Sequence, residues 1–293
     1  MSRGFSTPCA REIGHEMRKR REAARVSSAA LARGVGWHPS KLSRVESGEY
    51  PVSDVEVSRY LSWLRVPPEE VDYVLELKAI DERDYGFWLR RAENSVMSPA
   101  LRSLVYYEAT ASKSTSYEPL VVPGLLQTRE YAAALIRETA GSDEDFELLL
   151  QARMDRQEVF RREPRAEFTF YIHEQALRLP IGDPHVMSEQ LLHLVFSSSR
   201  PNAVIRVVPL SAGAAAVCGG SFRLFEYSKR DRPLVYQSGT VAGLFVDDDE
   251  YVGGFSRLVP RLERVALSEG ESLDLLAAMA GDSERLKPQP STR

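Results

Sequence analysis

Residues 36–48 read Gly-Trp-His-Pro-Ser-Lys-Leu-Ser-Arg-Val-Glu-Ser-Gly, and this stretch decides the fold of the first part of the chain. Pro39 suits the first turn of a helix, where its missing N–H costs no hydrogen bond. Leu42 and Val45 are three residues apart, so they share one side of that helix, and we expect this side to face the core. The outward side then carries three polar residues: Ser40, Lys41 and Arg44.

The residues before this stretch predict two more helices. Ile13, Met17 and Ala24 recur at near-helical spacing. Ser27 is a good N-cap for a short helix over residues 28–33, because its hydroxyl can accept a hydrogen bond from a free amide. Two glycines around a valine then supply a turn in which positive φ is tolerated. The pattern predicts a helix, a tight turn and a second helix.

Two further helices are expected after the stretch. Ser53 and Glu56 have the spacing of a capping box, and we expect Val55, Leu61 and Leu64 to pack that helix inward. Another helix begins at Pro68, with three apolar residues facing the core: Val71, Val74 and Leu75. The sequence therefore predicts an all-α domain of five helices over residues 1–80.

Charge is distributed unevenly along the chain. The formal net charge is -4, yet residues 11–45 contain nine Lys or Arg and three Glu. This segment has a charge of +6, so the remainder has -10. A basic segment on an acidic body is common in proteins that bind nucleic acid, since only the contacting face must be positive. A solvated basic helix is the alternative interpretation.

The spacing of these residues resembles the XRE (lambda-repressor-like) helix-turn-helix family. The match rests on an ensemble of short motifs: Ile13-Gly14, Met17-Arg18, Arg21-Glu22, Ser27, Leu31-Ala32, Ser40-Lys41-Leu42-Ser43-Arg44-Val45-Glu46 and Gly48. The resemblance implies a structural ion pair between Arg21 and Glu46. It also implies a DNA-binding surface made of Ser28, His38, Ser40, Lys41, Ser43 and Arg44, with Arg18 and Arg33 contacting phosphates.

Two residues depart from the pattern of that family. Arg25 stands where the first helix usually ends with glycine, so either Arg25 adopts a costly conformation or the helix ends differently. Arg20 occupies a position that is usually apolar. We expect its aliphatic stem to lie along the core and its guanidinium to reach water.

The second part of the chain alternates between helix and strand patterns. We interpret residues 81–116 as a helical connector, 117–282 as an α+β regulatory and dimerisation domain, and 283–293 as a flexible tail. Helices are predicted over 127–138, 144–162, 188–197, 248–267 and 272–279. Strands are predicted over 168–172, 203–208, 221–227, 233–236 and 241–246. Short spacing between the last three strands favours a mostly antiparallel sheet.

This second part resembles the domain of unknown function that follows a helix-turn-helix in WhiJ-like actinobacterial regulators. The resemblance rests on the run Tyr117 to Thr128, with Pro-Gly-Leu-Leu-Gln-Thr at its end, and on short motifs further along: Arg153, Arg156-Gln157, Gln190-Leu191, Val208-Pro209 and Ala266-Leu267-Ser268. It implies transcriptional control and a small BldB-like partner protein. Gln237 departs from it, because glutamate is expected there.

Known catalytic and metal-binding patterns are not found, so we expect no enzyme activity, no cofactor and no metal. The polar group formed by Arg153, Arg156 and Gln157 lies within one turn of a predicted helix and could hold an acidic ligand or a partner's carboxylates. Ion pairs of these residues with Glu147, Asp155 or Glu158 are the structural alternative. Glu174, after His173 at the end of a strand, is a further candidate, with a structural hydrogen-bonded pair as its alternative.

These observations predict a dimeric transcriptional regulator that binds double-stranded DNA. Neither a secretory signal nor a membrane-spanning stretch is recognised, and Cys9 and Cys218 fit unpaired thiols, so we expect a cytoplasmic, nucleoid-associated protein. A homodimer is expected, with a small-molecule ligand as a possibility. Two alternatives stay open: a protein-interaction module with weak DNA binding, and a small-molecule-processing enzyme domain fused to a helix-turn-helix.

Overall fold

The computed structural model describes residues 6–83, 86–92, 98–138, 142–163, 165–227 and 231–285. The chain divides into two compact units. The N-terminal unit comprises Met1–Trp88 with Tyr227–Leu234 and Val246–Asp249, and the C-terminal unit comprises Leu89–Glu226, Val235–Phe245 and Glu250–Arg293. The first unit therefore extends beyond the predicted boundary at residue 80 and includes two short segments from later in the sequence.

The N-terminal unit contains the five predicted helices. They are α1 (Pro8–Ala23), α2 (Ser28–Val35), α3 (Pro39–Glu46), α4 (Asp54–Trp63) and α5 (Pro68–Arg83). Side chains cap α2 and α4 as the sequence predicts, because unpaired amides at a helix start need acceptors. Ser27 accepts a hydrogen bond from the Ala30 amide at 3.2 Å, and Ser53 forms a capping box with Glu56.

One apolar core joins these helices. Met17, Leu31, Leu42 and Val57 are fully buried in it, together with Ile13, Val45, Tyr60, Leu61, Val74 and Leu77. Gly14 lets α1 approach the end of α3 closely, since a Cβ there would lie 2.5 Å from the Val45 carbonyl oxygen. The prediction for Val55 is wrong: its side chain is 67% exposed, and Val57 and Tyr60 pack α4 instead.

The structure explains both unusual arginines, Arg20 in α1 and Arg25 just after its end. Arg25 adopts φ 55°, so it takes the costly left-handed conformation, while the Val26 amide closes the helix end on the Arg21 carbonyl at 3.1 Å. The expectation that the Arg20 guanidinium reaches water is wrong. It forms ion pairs with Glu16 and Glu70, and its side chain is only 10% exposed, because two carboxylates meet it at the helix surface.

The C-terminal unit is mixed α and β, as predicted. Its helices are α6 (Pro99–Thr110), α7 (Arg129–Arg137), α8 (Asp143–Asp155), α9 (Glu174–Arg178), α10 (Pro184–Ser197), α11 (Asp249–Ser256), α12 (Leu258–Val265) and α13 (Glu269–Arg285). The strands of the described residues are β1 (Phe87–Arg91), β2 (Lys113–Glu118), β3 (Glu167–His173), β4 (Ala203–Val208), β5 (Phe222–Glu226), β6 (Leu234–Gln237) and β7 (Ala242–Val246).

The strands form one mostly antiparallel sheet in the order β1-β7-β6-β5-β2-β3-β4. Strand β2 pairs antiparallel with β5 and parallel with β3, and β3 pairs parallel with β4. Helices α7 and α8 connect β2 to β3, and α9 and α10 connect β3 to β4, as parallel neighbours require a crossover. A buried cluster that includes Leu126, Ile172, Leu177, Leu194 and Val207 packs this part of the unit.

The second part differs from the sequence-based prediction at several points, including the helix predicted over 248–267, which is divided into α11 and α12. Residues 81–116, predicted as a helical connector, contain β1 and most of β2 as well as helix. The sequence does not predict β2 because residues 113–116 are all polar, although Ser114, Thr115 and Ser116 are buried. The helix predicted over 144–162 ends at Asp155 and continues as a 3-10 helix, Arg156–Arg161. Of the predicted tail, residues 283–285 belong to α13 and the others lie outside the described residues.

Candidate nucleic-acid interface

A tight turn sets the position of α3 after α2. Gly36 takes φ 73°, which L-amino acids with a side chain adopt at a cost, and the Trp37 amide donates to the Ala32 carbonyl at 2.8 Å. His38 then caps α3: its Nδ1 accepts a hydrogen bond from the Ser40 amide at 3.3 Å and lies 2.7 Å from the Ser40 hydroxyl. The helix start is therefore fixed by its own side chains.

Helix α3 has one buried side and one exposed side, as predicted. Leu42 and Val45 are buried in the core, whereas Ser40, Ser43 and Arg44 are exposed. The Arg44 guanidinium lies 5.4 Å from the centre of the Tyr50 ring, within range of a cation–π contact. Arg44 is thus held close to its own helix while its donors stay accessible.

Lys41 does not share this exposed position. Its ammonium forms an ion pair with Glu56 of α4 and lies 4.8 Å from the centre of the Trp37 ring. The side chain of Lys41 is 28% exposed. The prediction that Lys41 points outward with Ser40 and Arg44 is therefore wrong for this conformation. The sequence around Lys41 does not predict this ion pair, because Glu56 belongs to the capping box of α4 and the position of α4 depends on tertiary packing.

The predicted ion pair between Arg21 and Glu46 is confirmed. Arg21 donates from Nε and Nη2 to the two oxygens of Glu46 at 2.7 and 2.8 Å, and the Tyr60 hydroxyl donates to the same carboxylate at 2.6 Å. Both side chains of the pair are less than 9% exposed. The hydrogen bonds to Glu46 hold the pKa of Arg21 above its ordinary value. This cluster joins α1, α3 and α4.

The other predicted DNA-binding residues lie on the surface. Ser28 is the first residue of α2, and Arg33 is exposed in its last turn. Arg18 is exposed but forms an ion pair with Glu22 at 2.7 Å, and that hydrogen bond lowers the pKa of the Glu22 carboxyl. Arg33 and Arg44 thus offer exposed guanidinium groups on α2 and α3.

The candidate ligand residues of the C-terminal unit are brought together only in part. Arg156 donates two hydrogen bonds to Glu108 of α6, at 2.9 and 2.7 Å. Arg153 donates to the side-chain oxygen of Gln127 at 2.6 Å, and Gln157 donates to the backbone carbonyl of Gln127 at 2.7 Å.

The ion-pair partners expected for these residues are wrong. Glu147 pairs with Arg129, and Glu158 pairs with Arg161. These acids lie on the outer side of the helix, while Glu108 reaches the arginine from another element. Because the pairing depends on tertiary packing, helical spacing alone could not identify it.

Glu174 lies apart from Arg153 and Arg156. Its carboxylate contacts Arg178 at 2.5 Å and accepts a hydrogen bond from the Leu210 amide at 2.9 Å, which is a structural role. The His173 Nδ1 accepts from the Gln175 amide at 3.2 Å. Neither the Glu174 side chain nor that of His173 lines the cavity that Arg153 and Arg156 line.

Two buried charged residues were missed by the sequence interpretation. Glu108 is 2% exposed, and Arg223 of β5 donates a further hydrogen bond to it. Although burial favours the neutral acid, the charges of Arg156 and Arg223 hold the pKa of Glu108 below its ordinary value. The available signal was a single charge inside an apolar run, as in Phe222-Arg223-Leu224-Phe225.

Comparisons with known proteins identify both parts of the chain. The family model described as "Domain of unknown function (DUF5753)" matches residues 101–278, and the model described as "Helix-turn-helix domain" matches residues 12–74. The N-terminal unit is therefore a helix-turn-helix domain, which supports a DNA-binding regulator. No curated protein matches the sequence.

One similar solved structure is described as TrmBL2, an archaeal chromatin protein with a novel mode of DNA binding. It is 12% identical, with a TM-score of 0.27, over 74% of this chain and 72% of that chain. A TM-score this low does not indicate a shared fold. Within the described residues, no helix is long and apolar enough to cross a membrane.

Proposed function

We propose that this chain, which belongs to the family of the domain of unknown function DUF5753 and carries an N-terminal helix-turn-helix domain, is a transcriptional regulator that binds specific sites in double-stranded DNA. The observation that carries this proposal is the two-sided character of α3. Leu42 and Val45 anchor it in the core, and Ser40, Ser43 and Arg44 are free to enter a major groove.

Arg44 is the residue with the largest expected contribution to sequence recognition. Its exposed guanidinium can donate two parallel hydrogen bonds to guanine, which is the commonest specific contact in the major groove. Ser40 and Ser43 flank it with short hydroxyls that suit either base or phosphate oxygens. Ser28 and Arg33, at the two ends of α2, support contacts to the DNA backbone.

Lys41 has a different role in this proposal. To reach a phosphate, its ammonium must leave both Glu56 and the Trp37 ring. We therefore assign Lys41 mainly to holding α3 against α4, with a smaller direct contribution to DNA affinity than that of Arg44. Arg18 likewise has to separate from Glu22 before it can contact a phosphate.

The finer parts of the proposal concern assembly and regulation. A homodimer that binds a partly palindromic site would place its half-sites about 34 Å apart along the DNA. We assign dimerisation and regulation to the C-terminal unit, in the manner of WhiJ-like regulators, with a small BldB-like protein as a partner. The proposal includes no enzymatic activity.

Selection of bound fragments from genomic DNA, followed by fluorescence anisotropy on the enriched site, tests DNA binding by the full chain. Arg44→Ala should weaken specific binding by about 1 to 3 kcal/mol, and Lys41→Ala by less. Arg161→Ala is the matched control, since Arg161 is 77% exposed in the C-terminal unit and pairs with Glu158. The logarithm of the affinity should also fall linearly with the logarithm of the salt concentration.

Two outcomes would contradict this proposal. If Arg44→Ala bound the enriched site as tightly as the unchanged chain, α3 would not be the recognition helix. If selection enriched no site and binding did not depend on salt, phosphate contacts would be absent and the interaction-module alternative would take precedence.

A further inference from the structure

The C-terminal unit contains a cavity of about 480 Å³, which is within the size range of small-molecule sites. Its walls come from α6, from the segment between β2 and α7, from α8 with the following 3-10 helix, and from β5 and β6. Its apolar lining includes Ala100, Leu101, Leu104, Val122, Ile136 and Leu149. Three arginines, Arg153, Arg156 and Arg223, line the cavity as well.

Positive charge exceeds negative charge at this arginine group. Arg156 and Arg223 share one carboxylate, that of Glu108, and all three side chains are less than 8% exposed. One carboxylate cannot neutralise two guanidinium groups. Glu118 is the other acid at the cavity, and burial raises its pKa to about 7, so near neutral pH it supplies only part of a second negative charge.

Arg153 adds to the positive excess without a carboxylate of its own. Within the described residues its hydrogen-bond acceptor is the neutral side-chain amide of Gln127, and no salt bridge joins it to an acid. Burial lowers the pKa of Arg153 to about 10, which still leaves it charged at neutral pH. Arg153 is partly buried, and a cation removed from water without a paired anion is costly, so this arrangement favours any ligand that supplies one.

Unused hydrogen-bonding capacity points in the same direction. The Nε of Arg223 is buried and has no hydrogen-bond partner among the described residues. Buried polar atoms in folded proteins are nearly always hydrogen-bonded, so this nitrogen leaves the Arg223 side chain with hydrogen-bonding capacity that its pairing with Glu108 does not use.

We propose that this cavity binds a small organic acid with one carboxylate and an apolar body. The carboxylate would accept hydrogen bonds from Arg153 and Arg223, and the apolar body would pack against Leu104, Ile136 and Leu149. A planar carboxylate matches the fork of a guanidinium group. An excess of one to two positive charges suits a monoanion better than a polyphosphate. This inference goes beyond DNA binding and does not depend on it.

The test is isothermal titration calorimetry of the full chain with a panel of aliphatic and aromatic monocarboxylic acids. Each acid is compared with its neutral primary amide and with the corresponding phosphate monoester. We expect at least one acid to bind, and its amide to bind about 10-fold more weakly or worse, because the amide lacks the charge that the arginines require. No DNA is present, so the result is separate from the test of DNA binding.

Three variants locate the site. Arg153→Gln should weaken the binding of that acid about 10-fold or more, and Thr240→Trp, at an exposed position of the lining, should block it by filling the cavity. Arg161→Gln is the control and should bind like the unchanged chain, since Arg161 does not line the cavity. Thermal unfolding of each variant checks whether the fold is retained.

The proposal is overturned by any of four results. No acid in the panel binds at millimolar concentration, or acids and amides bind equally, or Arg153→Gln and Thr240→Trp bind the acid as the unchanged chain does. Preference for the phosphate monoester over the carboxylate would also contradict the assigned ligand class.

Discussion

Glu46 in the N-terminal unit receives a bidentate contact from one arginine, Arg21, whereas Glu108 in the C-terminal unit is shared by two, Arg156 and Arg223. In the first cluster the Tyr60 hydroxyl completes the hydrogen bonds, and the charges of the pair cancel. In the second cluster the charges do not cancel, a third arginine lines the same cavity, and the Arg223 Nε has no hydrogen-bond partner in the described part of the chain.

This difference separates a structural cluster from a candidate binding site. Buried charges are tolerated when they are paired and hydrogen-bonded, and the Arg21–Glu46 cluster meets both conditions within the chain. The Glu108 cluster meets these two conditions only in part, because one carboxylate is shared by two arginines. The residue types are the same in both places, so the balance of charge is what distinguishes their functions.

Glu108→Ala should have the largest effect. It leaves two buried arginines without a carboxylate, and we expect a loss of about 5 kcal/mol in the free energy of unfolding or failure to fold. Urea denaturation followed by circular dichroism measures it. Arg161→Ala, which removes an exposed pair, is the control and should change stability little. A loss for Glu108→Ala as small as the control's would show that the cluster is hydrated and not buried.

Glu46→Ala should cost less, about 3 kcal/mol, because one arginine and one hydroxyl lose their partner. Tyr60→Phe is the matched partial change and should cost about 1 kcal/mol, since the ion pair remains. Both are measured by urea denaturation. If Tyr60→Phe cost as much as Glu46→Ala, the hydroxyl and not the ion pair would hold α1, α3 and α4 together.

Glu118→Gln tests the electrostatics of the cavity through pH. Because burial raises the pKa of Glu118 to about 7, the folded protein keeps a proton between pH 4.5 and 7 that the unfolded chain has lost. The contribution of Glu118 to stability therefore falls as pH rises through this window. The groups that face it electrostatically are Arg153, Arg156, Arg223, Tyr131 and Tyr236.

Glutamine does not titrate, so Glu118→Gln should remove this fall. Relative to the unchanged chain, the variant should gain about 1 to 2 kcal/mol between pH 5 and pH 8, less than the full shift because the open cavity partly solvates the group. Urea denaturation at the two pH values gives the difference. If the stability of both proteins changed equally with pH, Glu118 would ionise with an ordinary pKa. The excess of positive charge at the cavity would then be smaller than we infer.

Lys41→Ala should have the smallest effect on stability, at most about 1 kcal/mol, because its pair with Glu56 is partly exposed. Thermal unfolding of the full chain checks this. A larger loss of stability would show that the Lys41–Glu56 pair contributes as much as a buried ion pair. Any reduced DNA affinity of this variant would then come from displacement of α3.

The helix-turn-helix was predictable from sequence to a large extent. Local signals fix it: Ser27 and Ser53 as caps, Gly36 in the turn, and Leu42 with Val45 on one side of α3. These effects act within one or two helical turns, so the sequence records them directly. The prediction that Val55 packs inward is wrong because the apolar pattern of a ten-residue helix does not determine which of several neighbouring apolar residues faces the core.

The candidate sites were predictable only in part. The exposed positions of Ser40, Ser43 and Arg44 follow from the periodicity of α3, but the retraction of Lys41 depends on Glu56, fifteen residues away. In the C-terminal unit the sequence drew attention to Arg153 and Arg156 but not to Glu108 or Arg223, which lie 48 and 115 residues from their partners. Strand β2 was missed because its buried serines and threonine look like a polar loop.

The sequence by itself determined that the chain begins with a five-helix domain whose third helix presents Arg44, because capping, turn geometry and helical periodicity are local. Only the tertiary structure decided which buried charges are neutralised. Coulomb interactions act between groups that folding brings together from distant positions, and the excess of arginine over carboxylate at the cavity becomes visible only when α6, α8 and β5 are in place.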